Sequence, residues 1–149
     1  MPFKRPVSVL VVIHTRRLEV ALLERVLHPG YWQSVTGSQE IDEDLSTTAA
    51  REVFEETGLA ATPTDLVDWR LSNRFEIFHE WRHRYADTVT HNVEHVFSLC
   101  LPETTSLQLA PREHSAQLWL PYQAAAAKCF SWTNRDAILM LPSVFPSLT

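Results

Sequence analysis

The chain runs to 149 residues, enough for one domain with its own core, and 45% hydrophobic to 21% charged residues is ordinary for a globular protein. Thirteen basic against 18 acidic residues leave a net charge of −5, which excludes a general attraction for nucleic acid. Only three glycines occur, Gly30, Gly37 and Gly58, too few and too scattered for a Gly-rich phosphate cradle. Lys4 and Arg5 precede residues 7–13, a β-branched run too short to span a membrane and without a signal-cleavage pattern. The expectation is a cytoplasmic protein with no membrane partner, its first strand central and buried on both faces. After a polar turn, residues 19–24 form a second strand, and Pro29-Gly30 turns the chain into a third extended piece, 31–36.

Residues 44–57 predict the main helix, with Asp44 as N-cap and Gly58 as the left-handed residue that ends it. Alternation predicts separate strands at 66–71 and 75–78, and apolar runs predict two more at 93–101 and 117–120. Two helices close the chain, Tyr122–Lys128 after Pro121 and residues 134–141, stopped by Pro142. This order fits a mixed sheet between helical layers. Cys100 and Cys129 have no Cys-x-x-Cys spacing and read as buried free thiols. His79, His83, His91 and His95 lack metal spacing on any one element, so a zinc site is not expected.

The main helix carries the chemistry. At about 100° per residue, Ala49, Ala50, Val53 and Thr57 share the side that packs on a sheet. Glu52, Glu55 and Glu56 fall in a wedge of about 100° on another side. Three carboxylates that close repel one another unless a cation sits among them, and hard oxygen ligands favour Mg²⁺ or Mn²⁺. Arg51 lies off the centre of the wedge, with Glu55 four residues on and Glu43 before the helix. It reads as a pin holding the loop and the carboxylates in register.

Residues 37–59 fill every position of the pattern G-x5-E-x7-R-E-U-x-E-E-x-G-U, where U is a bulky aliphatic residue: Gly37, Glu43, Arg51, Glu52, Val53, Glu55, Glu56, Gly58 and Leu59. A chance match is on the order of 10⁻⁹ per starting position. The segment resembles the signature box of the Nudix family, hydrolases that cleave a diphosphate linked to another group. The resemblance extends over the whole chain as one domain, residues 1–149, and implies an α/β/α sandwich with a mixed sheet. Where the commoner Nudix loop has glycines, this chain has Ser38 and Asp42.

Further stretches resemble one Nudix subgroup, the bacterial diphosphatases of dihydroneopterin triphosphate in folate biosynthesis. They include Lys4-Arg5-Pro6-Val7-Ser8, Trp32-Gln33-Ser34-Val35-Thr36, Glu113-His114 and Ser131-Trp132-Thr133-Asn134-Arg135. The resemblance implies that Lys4, Arg25, Thr36, the strand Phe75, Glu76, Ile77 and Phe78, and Ser131 line the substrate site. It also implies that Glu113 completes a metal set with Glu52 and Glu56. Lys4 and Arg25 suit phosphate oxygens, Thr36 and Ser131 offer hydroxyls, and Phe75 and Phe78 can stack on a flat heterocycle. Glu55 is either a further ligand or part of the proton-accepting network, and Glu113 and Glu52 are both eligible as base. The stretch 79–84 is either a basic flap over the triphosphate or a solvated loop. Two other functions remain open: a broad nucleoside triphosphate pyrophosphatase, such as one acting on dATP, and a non-catalytic metabolite sensor.

Overall fold

Eight of the nine residues of strand β1 (Val7–Thr15) are buried, as a continuous β-branched run demands. In this computed structural model, which describes residues 3–146, β1 is the spine of a seven-stranded mixed sheet. It runs parallel to β6 (His91–Leu101) along its full length, with Val7 opposite Val93 and Thr15 opposite Leu101. On its other edge it pairs antiparallel with β2 (Glu19–Arg25) at one end and β4 (Val35–Ser38) at the other. The sheet therefore forks: β2 leaves β1 to pair with β3 (Trp32–Gln33) and, on its far side, with β7 (His114–Pro121). β5 (Leu66–Glu76) covers the outer edge of β6.

Helix α1 (Leu45–Thr57) lies on one face, its Ala49 and Val53 packed with Val9, Val11 and Ile13. Helices α2 (Tyr122–Lys128) and α3 (Trp132–Val144) cover the other, where Ile138 and Leu141 meet Leu10 and Val12. The period-two alternation of β1 thus feeds two cores, and the layers make the expected α/β/α sandwich. Asp44 caps α1, accepting from the Thr47 amide at 2.8 Å, and Gly58 ends it at φ 76°.

Several local expectations fail. The third extended piece, 31–36, divides into β3 and β4, because Ser34 is claimed by Asn134 of α3. The Ser34 amide donates to Asn134 Oδ1 at 2.7 Å, and Asn134 Nδ2 donates back to the Ser34 hydroxyl at 2.9 Å. The strands expected at 66–71 and 75–78 are one, β5, broken by a bulge between Asp68 and Ser72 with Arg70 at φ 54°. Three residues there oppose one on β6, so the bulge adds two and keeps the alternation, and Ile77 and Phe78 lie beyond the strand's end. Pro142 does not stop α3, which continues to Val144; so close to the end it costs one amide, and Phe145 still donates to Leu141 O at 2.8 Å. The helix begins at Trp132 because the Ser131 hydroxyl caps it, accepting from the Asn134 amide. The strand expected at 117–120 extends to the whole of β7, along the length of β2. Cys100 and Cys129 are free but only half-buried, and burial pushes the Cys129 thiol up to about 12.

Candidate active site

Where β4 enters the loop before α1, backbone and carboxylate come into direct contact. Gly37 sits against the Glu52 side chain, where any Cβ would overlap the carboxylate. Arg51 organises the loop. Its Nε and Nη2 donate to the two oxygens of Glu43 at 2.7 and 3.0 Å, and Nη2 also donates to Ser38 O at 3.0 Å. Its Nη1 holds Glu52 Oε1 at 2.7 Å and reaches Glu55 at 3.3 Å. Saturated by Arg51, the Glu40 amide and the Thr48 hydroxyl, Glu43 falls to about 2. The expected pin is thus in place, and it restrains Glu52 more tightly than the half-exposed Glu55.

Glu56 is the opposite case. It is 2% exposed, and its Oε1 is buried with no hydrogen-bond partner. Burial first, then the neighbouring carboxylates Glu52 and Glu113, push it well above the usual carboxylate range. Glu113, in the loop before β7, and His114, the first residue of β7, bring ligand atoms within 4.8 Å of one another and of Glu56. His114 Nδ1 is 3.8 Å from Glu56 Oε1, yet burial and the Arg25 charge depress the imidazole to about 4, so this contact is not an ion pair at neutral pH. An orphaned buried oxygen, three converging carboxylates and a neutral imidazole fit a hard divalent cation, which would supply the positive charge that the cluster lacks.

These carboxylates line an outer cavity of about 710 Å³, which adjoins an inner one of about 280 Å³. Lys4, Arg25 and Arg84 line both. Lys4 is lowered by desolvation and then by Arg84 and Arg25; Arg25 is lowered by burial and then by Arg84. Such mutual repulsion marks a site that an anion would relieve. Arg25 is held by Gln33 Oε1 at 3.1 Å and by the Trp81 ring, 4.7 Å from its centroid. The inner cavity is floored by β1 and β6 and walled by aromatic rings. Phe78 and Trp81 stack at 5.2 Å, and both meet the Phe130 edge at 5.9 Å.

Every catalytic, metal and substrate residue expected from the sequence lines one of the two cavities, as do Gly37 and Arg51 of the motif, whereas Glu43 and Gly58 line neither. Glu52, Glu55, Glu56 and Glu113 lie in the outer one; Lys4, Arg25 and Thr36 stand at the junction; Phe75, Glu76, Ile77, Phe78 and Ser131 line the inner one. The Ser131 hydroxyl is partly committed to capping α3 and to Thr133 at 2.9 Å. Residues 79–84 form a 3-10 helix, His79–Arg84, tied down where Lys4 donates its amide to Arg84 O at 2.9 Å. Trp81 and Arg84 face the cavity while His83 is exposed, so this segment is a wall rather than a loose loop. Sequence reasoning missed His114 as a possible ligand and passed over Asn92 and Glu94, which point into the inner cavity from β6. The signal for Glu94 was a carboxylate within the run 93–101 that the sequence marks as a strand.

A family model described as the NUDIX domain matches residues 4–141. The dihydroneopterin triphosphate diphosphatase of Escherichia coli K12 is 46% identical over 139 residues, 91% of each chain. That of Haemophilus influenzae is 40% identical over 141 residues, covering 93% of this chain and 88% of its own. A solved structure of the E. coli dihydroneopterin triphosphate pyrophosphohydrolase superposes with a TM-score of 0.86 at 44% identity, covering 93% of this chain and 95% of that one. No helix among the described residues is long and apolar enough to cross a membrane.

Proposed function

The chain belongs to the Nudix family, and on that premise we propose that it hydrolyses 7,8-dihydroneopterin triphosphate to the monophosphate and pyrophosphate. The observation that carries this reading is the pair of adjoining cavities. An aromatic-walled slot suited to a flat heterocycle opens past Lys4, Arg25 and Arg84 onto a cluster of acidic ligands. A heterocyclic triphosphate fits that order of surfaces from ring to phosphate tail. We assign the metal role to Glu52, Glu56 and Glu113, with Mg²⁺ as the ion and Mn²⁺ as its substitute. An ion held there would supply positive charge to the phosphate oxygens and to the activation of the attacking water.

The chain's own groups do the rest. Lys4, Arg25 and Arg84 take up phosphate charge, Arg25 with a planar fork preset by Gln33 and Trp81. Thr36, which accepts from Gln33 Nε2 at 3.3 Å, presents its hydroxyl at the passage between the cavities. Arg51 keeps Glu52 facing the site. Glu52 and Glu113 are both eligible as the base that accepts the proton of the attacking water, since a base needs only hydrogen-bond reach to it. We place the reaction in the cytoplasm, in keeping with two free cysteines.

The test is pyrophosphate release from dihydroneopterin triphosphate and from each dNTP, with and without Mg²⁺. The pterin substrate should have the highest kcat/KM, and release should depend on the ion. Comparable values for dATP would make the protein a broad nucleotide pyrophosphatase; binding without turnover of any substrate would make it a sensor.

A further inference from the structure

Glu94 has a position that the hydrolytic machinery does not use. It lies on β6 beside Ser8 of β1, on the α2/α3 face of the sheet, opposite the face that carries α1. It is 6% exposed, and its Oε1 has no hydrogen-bond partner. Among the described residues no lysine or arginine forms an ion pair with it; burial pushes the carboxyl up to about 7, against the support of the Thr133 hydroxyl. An apolar residue here would fold more cheaply, so a retained, unpaired carboxylate calls for a ligand.

Two residues earlier on the same face, Asn92 donates its Nδ2 to Ser8 Oγ at 2.7 Å, which fixes the amide and leaves Oδ1 buried and unpartnered. Both orphaned acceptors belong to the lining of the inner cavity, whose other walls include Leu10, Phe78, Phe130 and Trp132. A floor with two orphaned acceptors, beneath walls that stack, selects a flat ring with adjacent N–H donors on one edge.

We propose that Glu94, supported by Asn92, reads the ring edge of the substrate, its carboxylate accepting from an adjacent ring N–H and exocyclic amine. In a pterin these are N3–H and the 2-amino group; guanine has the same pair at N1–H and its 2-amino group. Adenine offers a ring acceptor beside its amine and leaves one carboxylate oxygen facing a lone pair. The proposal rests on the pterin triphosphate reading for the identity of the ring, and on the cavity alone for the donor pattern.

The two can fail separately. In the parent protein, GTP should be hydrolysed with a kcat/KM at least about 30-fold above ITP, which lacks only the 2-amino group, because a buried acceptor is then left unpaired. Glu94→Gln should cut the kcat/KM ratio of dihydroneopterin triphosphate over dATP by at least about 30-fold, mostly through KM, and should bring GTP and ITP together. Glu94→Asp should recover part of the preference. A second readout needs neither metal nor turnover: quenching of cavity tryptophan fluorescence by free dihydroneopterin and by guanosine, which Glu94→Gln should weaken for both. Equal losses for all substrates in Glu94→Gln, with GTP and ITP alike in the parent, would overturn the assignment and leave Glu94 a structural residue. If the parent prefers GTP over both ITP and dihydroneopterin triphosphate, the edge reading stands and the pterin reading falls.

Discussion

Two acidic residues that bracket α1 meet opposite fates. Glu43, in the loop before the helix, accepts from Arg51, Thr48 and the Glu40 amide and is held at about 2. Glu56, the last residue but one of the helix, is buried among Glu52 and Glu113 with an oxygen that accepts nothing, and is pushed far upward. The first carboxylate is ionised and satisfied by the fold itself. The second is left by the fold with a buried oxygen unpartnered. One helix therefore divides its acidic residues between a clamp that is complete and a site that is not, and the incomplete part is where chemistry belongs.

The sharpest way to break that contrast is Glu56→Gln. It should cost at least about two orders of magnitude in turnover, since the charge we assign to metal binding would be lost while the shape remains. The metal-free variant should melt no lower than the metal-free parent, because a burden has been removed. Mg²⁺ at a hundredfold excess over its Kd should stabilise the parent by about 2.7 kcal/mol, several degrees in Tm, and Glu56→Gln much less. The parent's gain should shrink toward pH 5, where carboxylates protonate. Turnover near the parent's, or equal Mg²⁺ shifts in the two proteins, would show that this face does not hold the ion.

Breaking the complete half should act on stability first. Arg51→Ala leaves Glu43 and Glu52 without their cation. Loss of a buried pair partner costs about 3–5 kcal/mol, and partial exposure of Arg51 brings the expectation to about 2 kcal/mol. The pH signs differ between the halves. The folded pKa of Glu43 is depressed, so its contribution is complete above the ordinary value near 4.5 and is lost as pH falls toward about 2. Glu56 and Glu94 are raised, so metal-free stability falls as pH rises from near 4.5, through about 7 for Glu94. Denaturant midpoints from pH 3 to 8 should show both slopes in the parent, and Arg51→Ala should lose the acid-side one. An acid limb that survives in Arg51→Ala would mean other carboxylates carry it.

The complete half was also the legible half. Asp44, Gly58, Arg51 and the glutamates stand at fixed spacings on one helix, so local geometry alone places them. The inner cavity is made by residues far apart in the chain: Ser34 and Asn134 are 100 positions apart, and their bonds decide where β3 ends and β4 begins. Glu94 needed the register of β6 on β1 before its inward direction meant anything. The Arg70 bulge and the persistence of α3 through Pro142 are likewise outcomes of packing, where tertiary contacts override local preference.

The smallest effect concerns the loop that joins the halves. Asp42 replaces a glycine of the commoner Nudix loop, yet its backbone holds φ 63°, the left-handed conformation that the glycine would serve. The loop's shape is therefore preserved, with Glu43 accepting from the Glu40 amide at 3.1 Å and from Arg51 Nε at 2.7 Å. Aspartate tolerates this conformation better than most L-residues, and its exposed side chain makes no other demand. Asp42→Ala should cost about 1 kcal/mol, the usual penalty for a Cβ residue without a local polar partner. Asp42→Gly relieves strain but gains unfolded-state entropy, two terms each below about 1 kcal/mol, and should leave Tm almost unchanged. Neither variant touches the ion or the inner cavity, so both should keep the parent's substrate ranking. If Asp42→Ala melts with the parent, the left-handed turn is not held in solution, and Glu43 reaches Arg51 by another path.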